Sequence, residues 1–239
     1  ASLIYRDKLP AFANEFDQQT EINNIFAGVT AGKNVDVRDA FFASDEQLYY
    51  RTDHHWTSDG ADTAYREFCK TAGLEPLEKS DFEIKTVSTE FQGTHDSKVL
   101  LPFAAKDEVK LYIPKQSETL KITHDGKTSD SFYVMSALEK KDKYQVFLGG
   151  NYGRVDIETG VKNGKRLLVV KDSFANSFVP LLTTHYEKIC MLDLRFFSKN
   201  PDDLAALIDE FAPTDTLILF NIANFISDPT IKRLAMFSK

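Results

Sequence analysis

The sequence predicts an α/β fold in which a parallel sheet is flanked by helices. Short apolar runs at Leu167-Leu168-Val169-Val170, Lys188 to Leu194 and Leu217-Ile218-Leu219-Phe220 have the length and composition of buried strands. Segments with helical patterning separate them, and each crossover must bury its apolar stripe on the sheet. A chain of 239 residues with 42% hydrophobic content can build such a core, and residues 1–239 are taken as one domain.

In chain order, Pro10 to about Ala27 reads as a helix and Val35 to Val37 as a short strand. Thr57 to Ala72 reads as a helix with Thr57 as N-cap, Asp59 favourably placed in the first turn, and Gly73 as the stop. Between about 79 and 163 the pattern changes to short β-like runs, Lys110 to Ile113, Ser131 to Val134 and Tyr144 to Leu148. Asp, Gly, Lys and Ser separate these runs, which predicts a β-rich insertion. After the strand that starts at Arg166, Phe174 to His185 is expected to be helical. Pro201 opens a further helix with Leu204, Leu207, Ile208 and Phe211 on one face, and Pro229 starts a closing one. Sheets of this kind place their sites at the carboxyl ends of the strands.

The formal net charge of −7 and pI near 5.3 supply no basic field to steer the chain onto phosphate backbones, so nucleic acid is excluded as a partner. The two cysteines, Cys69 and Cys190, make neither a disulfide scaffold nor a zinc site, and are expected as buried thiols. No run approaches the roughly 20 apolar residues of a membrane span. The start, Ala1-Ser2-Leu3, has no initiator Met and no signal-peptide layout, so a trimmed or mature fragment is expected.

Two segments carry chemistry. In Asp53-His54-His55-Trp56-Thr57, just before a helix, an Asp and a His two positions apart in extended backbone project to one side. The carboxylate of Asp53 can then orient His55 as a general base. Adjacent side chains point to opposite faces, which gives His54 a structural hydrogen-bonding role and leaves Trp56 to pack beneath the loop. In Lys171-Asp172-Ser173-Phe174, Ser173 sits where a buried strand meets a helix, and helix N–H groups there favour a developing oxyanion. A serine before a helix is more often a cap, but the Asp-x-His motif elsewhere in the chain reverses that reading.

Together these segments resemble the DHHW family and the related alginate O-acetyltransferase domains of the SGNH hydrolase-like superfamily, in order from about Asp36 to Lys239. Common SGNH hydrolases carry the nucleophile segment first, whereas these relatives have a circularly permuted order, which this chain follows. The resemblance implies Ser173 as nucleophile, His55 as base and Asp53 as orienting acid. It implies an oxyanion hole made by the Ser173 N–H with an asparagine from Phe220-Asn221-Ile222-Ala223-Asn224, Asn224 in preference to Asn221. The family's glycine block falls on Leu192 to Phe197, which contains no glycine, so that donor is either a backbone N–H near Arg195 or missing.

Arg195 can meet a substrate carboxylate or pair with Asp172 or Asp193. Tyr152 and Arg154, in the loop Gly149 to Arg154, can meet substrate, or the loop can simply be a glycine-rich turn. His95, His124 and His185 read as surface or capping residues, and no metal site or cofactor is expected. The alternative reading of Asp53-His54-His55 as a DHH phosphoesterase metal motif lacks the further aspartate motifs that two metals need.

The resemblance implies serine-dependent acyl transfer, as an O-acetyl esterase or O-acetyltransferase, on a cell-surface or secreted glycan. A polysaccharide substrate, a membrane acyl-donor protein and an extracytoplasmic, anchored or secreted location go with it. The competing reading is an inactive glycan-binding or assembly domain that kept the triad residues, supported by the missing glycine.

Overall fold

The computed structural model describes residues 1–13, 16–99, 103, 105–116 and 119–238, with side chains up to residue 233. The strands are β1 (Phe82–Phe91), β2 (Asp107–Pro114), β3 (Lys121–His124), β4 (Lys127–Ser129), β5 (Arg154–Glu158), β6 (Arg166–Lys171), β7 (Lys188–Leu192) and β8 (Asp215–Leu219). The helices are α1 (Gln18–Gly28), α2 (Arg38–Phe42), α3 (Ser58–Ala72), α4 (Thr94–Val99), α5 (Ala175–Phe178), α6 (Pro201–Phe211) and α7 (Ile222–Ser227).

Six strands form the central sheet in the order β4-β3-β5-β7-β6-β8. The apolar runs behave as the sequence indicates: β6 lies between β7 and β8 and pairs parallel with both. The remaining ladders are antiparallel, so the expected parallel sheet is in fact mixed. The reason is local. Asp125 and Gly126 both adopt positive φ between β3 and β4, a two-residue reversal that can only join antiparallel neighbours. In β5, Val155 and Ile157 are buried and alternate with half-exposed or exposed neighbours.

The sheet has a core on each face. Leu167, Val169, Ile189 and Met191 pack with Trp56, Phe68 and Phe178 on the side of α3 and α5. Leu168, Val170, Cys190 and Leu192 pack under Leu204 and Leu207 of α6. Thr57 caps α3 by accepting from the Gly60 N–H, and Gly73 ends it in the left-handed region at φ 69°.

Residues 79–163 divide between this sheet and a separate antiparallel ribbon, β1 with β2. The ribbon packs Phe91, Val109 and Leu111 against Tyr50, Tyr144 and Phe147. Several expected elements are replaced. The helix drawn from Pro10 begins only at Gln18, with residues 14 and 15 outside the described ones. Val35 to Val37 is irregular backbone leading into α2. Ser131 to Val134 and Tyr144 to Leu148 touch through one bridge, Tyr133 to Phe147, and the second run is largely a 3-10 turn. The helix expected over Phe174 to His185 is α5 followed by a 3-10 turn at Val179–Leu182. Pro180 explains that break, because it lacks the N–H needed to continue an α-helix. The closing helix from Pro229 is 3-10 throughout.

Candidate active site

Residues 50–55 form a closed loop rather than an extended one. A bridge joins Tyr49 to Trp56, the Tyr50 N–H donates to the His55 carbonyl at 3.2 Å, and the Thr57 N–H donates to the Leu48 carbonyl at 2.9 Å. Asp107, at the start of β2 and fully buried, fastens the loop from outside. Its carboxylate accepts from the Arg51 N–H at 3.1 Å, the Thr52 N–H at 3.0 Å, the Thr52 hydroxyl at 2.8 Å and the Gln47 amide at 2.9 Å. Burial alone would raise the Asp107 pKa, but these donors outweigh it and hold the carboxyl below its ordinary value.

Asp53 is held from both sides. One oxygen accepts the His55 N–H at 3.0 Å and the His55 Nδ1–H at 2.5 Å; the other accepts the Thr94 N–H at 2.8 Å and the Thr94 hydroxyl at 2.9 Å. Burial pushes this carboxyl up, while the His55 hydrogen bond and charge and the backbone donors pull it down further, so it stays ionised well below the usual range. Gly93 makes this approach possible, because a Cβ there would lie 2.4 Å from Asp53 Oδ2.

The expected opposition of His54 and His55 does not occur: in the closed loop their ring centroids are 3.8 Å apart. They still have different partners. The Thr94 hydroxyl donates to Asp53, so its oxygen accepts from His54 Nδ1 at 2.8 Å, which fixes the His54 tautomer. Burial, followed by the neighbouring charge of His55, pushes the His54 pKa down to about 4.

Ser173 lies just past the carboxyl end of β6, 8% exposed. Its hydroxyl donates to His55 Nε2 at 2.7 Å across a sequence separation of 118 residues. Trp56 does more than pack beneath the loop: its indole N–H donates to the Phe174 carbonyl and to Ser177 Oγ, each at 3.0 Å. The N–H groups of Phe174, Ala175 and Asn176 bond to Asp172 or Ser173 within the turn, so the four-residue α5 offers no open N-terminus to an oxyanion. Asp172 accepts from the Asn221 N–H and the Asn224 side-chain amide, both at 2.8 Å. Asn224 thus lies beside the Ser173 turn with one amide hydrogen on Asp172, and the Asn221 side chain caps α7 by accepting from the Ala223 N–H.

The remaining sequence-derived positions are further out. Arg195 pairs with Asp193 through Nε at 2.8 Å and Nη2 at 2.6 Å. Tyr152 stacks on His124 with centroids 3.8 Å apart, and Arg154 pairs with Asp156 at 2.7 Å beside a cleft of about 360 Å³. His95 is exposed, and His185 is half-buried and bonded to the Tyr65 hydroxyl at 2.7 Å. Both cysteines are free and buried. Asp53, His54 and His55 could present ligand atoms within 4.8 Å of one another, but a metal there would compete with the bonds that Asp53 and His55 already make.

Sequence reasoning missed four contributors. Asp107 and Thr94 hold the loop that carries Asp53 and His55. Lys171, fully buried, donates to Asn176 at 2.8 Å and Asn151 at 3.1 Å, and burial lowers its pKa to about 8 against the opposing pull of Asp193. Tyr144 stacks on His55, centroids 3.7 Å apart and planes 7° from parallel. None of the four carries a spacing that points to its partner.

A family model described as DHHW protein matches residues 17–192. The chain belongs to the DHHW family. This DHHW chain is similar to a crystal structure of a DHHW family protein from Eubacterium siraeum, with a TM-score of 0.82 and 27% identity, covering 98% of this chain and 79% of that one. Its fold is also similar to Bacillus cereus PatB1 carrying a sulfonyl adduct, at TM-score 0.78 and 21% identity over 97% of this chain and 80% of that one. The O-acetyltransferase domain of Pseudomonas putida AlgJ is a more distant neighbour, at TM-score 0.54 and 14% identity, covering 100% of this chain and 80% of that one. No curated protein sequence matches at a significant level. Among the described residues, no helix is long and apolar enough to cross a membrane.

Proposed function

We propose that this DHHW protein, acting as one domain, is a serine-dependent acyl-transfer enzyme, an O-acetyl esterase or O-acetyltransferase working on a cell-surface or secreted glycan. The observation that carries this reading is the single line of contacts from Asp53 through His55 to Ser173, at 2.5 Å and 2.7 Å. His55 takes the Ser173 proton as Oγ attacks the ester carbonyl. The alkoxide leaves with the proton returned by His55, and water or a sugar hydroxyl then attacks the acyl-serine by the same route.

The backbone N–H of Ser173 is the first oxyanion donor in this reading, and the second Asn224 amide hydrogen is the next candidate. Likeness in fold to an O-acetyltransferase domain supports acetyl as the group transferred; a polysaccharide as its carrier is proposed from the sequence resemblance. An extracytoplasmic location, anchored or secreted, with a membrane protein as acyl donor, is part of the same proposal and rests on the family resemblance of the sequence motifs alone.

The test is a sulfonyl fluoride followed by mass spectrometry, run beside hydrolysis of 4-nitrophenyl acetate. Ser173 should carry the adduct, Ser173→Ala and His55→Ala should lose most hydrolysis, and His54→Ala should keep most of it. A wild-type protein that is neither labelled nor active would replace this reading with the inactive binding domain. The Asn224 amide bonded to Asp172 and the absence of glycine after β7 favour that alternative.

A further inference from the structure

We infer that Tyr144 is the positioning residue that sets the plane of the His55 imidazole and lends its aromatic face to the cation formed there. The inference rests on the acyl-transfer reading above for its kinetic consequence, but the contact itself is independent of it. The Tyr144 ring lies 3.7 Å from the His55 ring and 7° from parallel, the geometry of a full face-to-face stack. Its hydroxyl donates to the Ser173 carbonyl at 3.0 Å and lies 3.1 Å from Ser177 Oγ. One side chain therefore touches the base with its face and the nucleophile turn with its tip.

Imidazole needs this support because its χ2 torsion is soft and broad. Asp53 holds Nδ1, but a ring fixed at one atom can still rock and swing Nε2 away from the serine. The Tyr144 face blocks that motion, and Tyr144 is itself immobilised: it is 4% exposed, with Phe147 at 5.1 Å and Tyr50 at 6.3 Å behind it. Proton transfer also turns His55 into a cation. The other groups around that ring are Asp53, Ser173, Phe174 at 5.1 Å and the His54 ring at 3.8 Å. Of the aromatic rings among them, Tyr144 is the one whose negative π face lies flat against the imidazole, where it attracts the charge.

The full chain, as wild type, Tyr144→Phe and Tyr144→Met, separates ring from hydroxyl. Phe keeps the face, whereas Met keeps much of the volume and loses it. In proton NMR the low-field resonance of the His55 Nδ1–H should persist in wild type and Tyr144→Phe and broaden or disappear in Tyr144→Met. With 4-nitrophenyl acetate, Tyr144→Met should lower kcat about 10-fold or more at unchanged KM, since the loss is in the transferring geometry. Tyr144→Phe should stay within a few-fold of wild type. If Tyr144→Met does not fold, Tyr144→His, which keeps a flat ring, replaces it and should retain the resonance. An unchanged resonance and kcat in Tyr144→Met, a lost resonance in Tyr144→His, or a Phe variant as impaired as Met, would overturn the role of the ring. A wild type with no esterase activity but the same pattern of resonances would refute the acyl-transfer reading and leave the positioning intact.

Discussion

The indole N–H of Trp56 donates to the carbonyl oxygen of Phe174, so the loop bearing His55 is tied directly to the turn bearing Ser173. The bond crosses 118 residues of sequence and lies next to the contact between the His55 and Ser173 side chains, which spans the same separation. Trp56→Phe should remove that tie while preserving an aromatic ring against Phe174 and Phe178. With the indole hydrogen bond lost and a void opened, stability should fall by about 2–4 kcal/mol. Urea unfolding measures this, and a loss within experimental error would show that packing alone holds the two segments together.

Gly93→Ala should damage the site more than its small size suggests. The new methyl would sit 2.4 Å from the Asp53 carboxylate, which must shift and release its hold on His55. Ester hydrolysis should drop by about 100-fold, the usual penalty for displacing a catalytic group by an ångström. Near-normal turnover in a folded Gly93→Ala protein would mean that the loop yields instead of the carboxylate.

His54 should make stability depend on pH. Its folded-state pKa is near 4, whereas the unfolded chain protonates near 6.5. Between these values the unfolded state binds more protons, so the contribution of His54 is full above about pH 6.5 and is lost as pH falls toward 4. The side chain is 38% exposed, which keeps the effect modest. His54→Gln should show a shallower decline in urea midpoint over that window than wild type. Parallel declines would assign the acid sensitivity elsewhere.

Tyr50 presents a buried hydroxyl with no hydrogen-bond partner among the described residues. Replacing it with Phe keeps the ring against Phe91 and Tyr144 and removes the unsatisfied group. Tyr50→Phe should be stabilising by about 1 kcal/mol. A destabilised variant in thermal unfolding would point to a bound water that the hydroxyl anchors.

The reading from sequence succeeded where information is local. The parallel trio β6, β7 and β8 announces itself in apolar runs, and the segments that carry Asp53, His55 and Ser173 stand out as motifs whose roles belong to the proposal above. It failed where an ordinary polar residue acquires its role from a distant segment. Asp107 lies 55 residues from Thr52, and Thr94 lies 41 from Asp53. Neither has a spacing that predicts its partner. Tyr144 was read as part of a strand because short apolar runs look alike whether they join a ladder or cap a buried ring. The antiparallel half of the sheet escaped for a related reason: β3, β4 and β5 are three to five residues long, and the turns, not the apolar pattern, set their direction.

The fastening of the His55 loop by Asp107 bears on how the chain reaches its final fold. His55, Asp107 and Ser173 come from three segments, each separated from the next by more than 50 residues. Closing loops of that span costs chain entropy before any of the contacts forms, which places the meeting of these groups among the late events of folding. A nascent or partly folded chain can hold helices and even the parallel trio without Asp53, His55 and Ser173 in line. Turnover of a simple ester would then report completion of the whole topology, and its recovery after dilution from denaturant would lag behind the return of secondary structure.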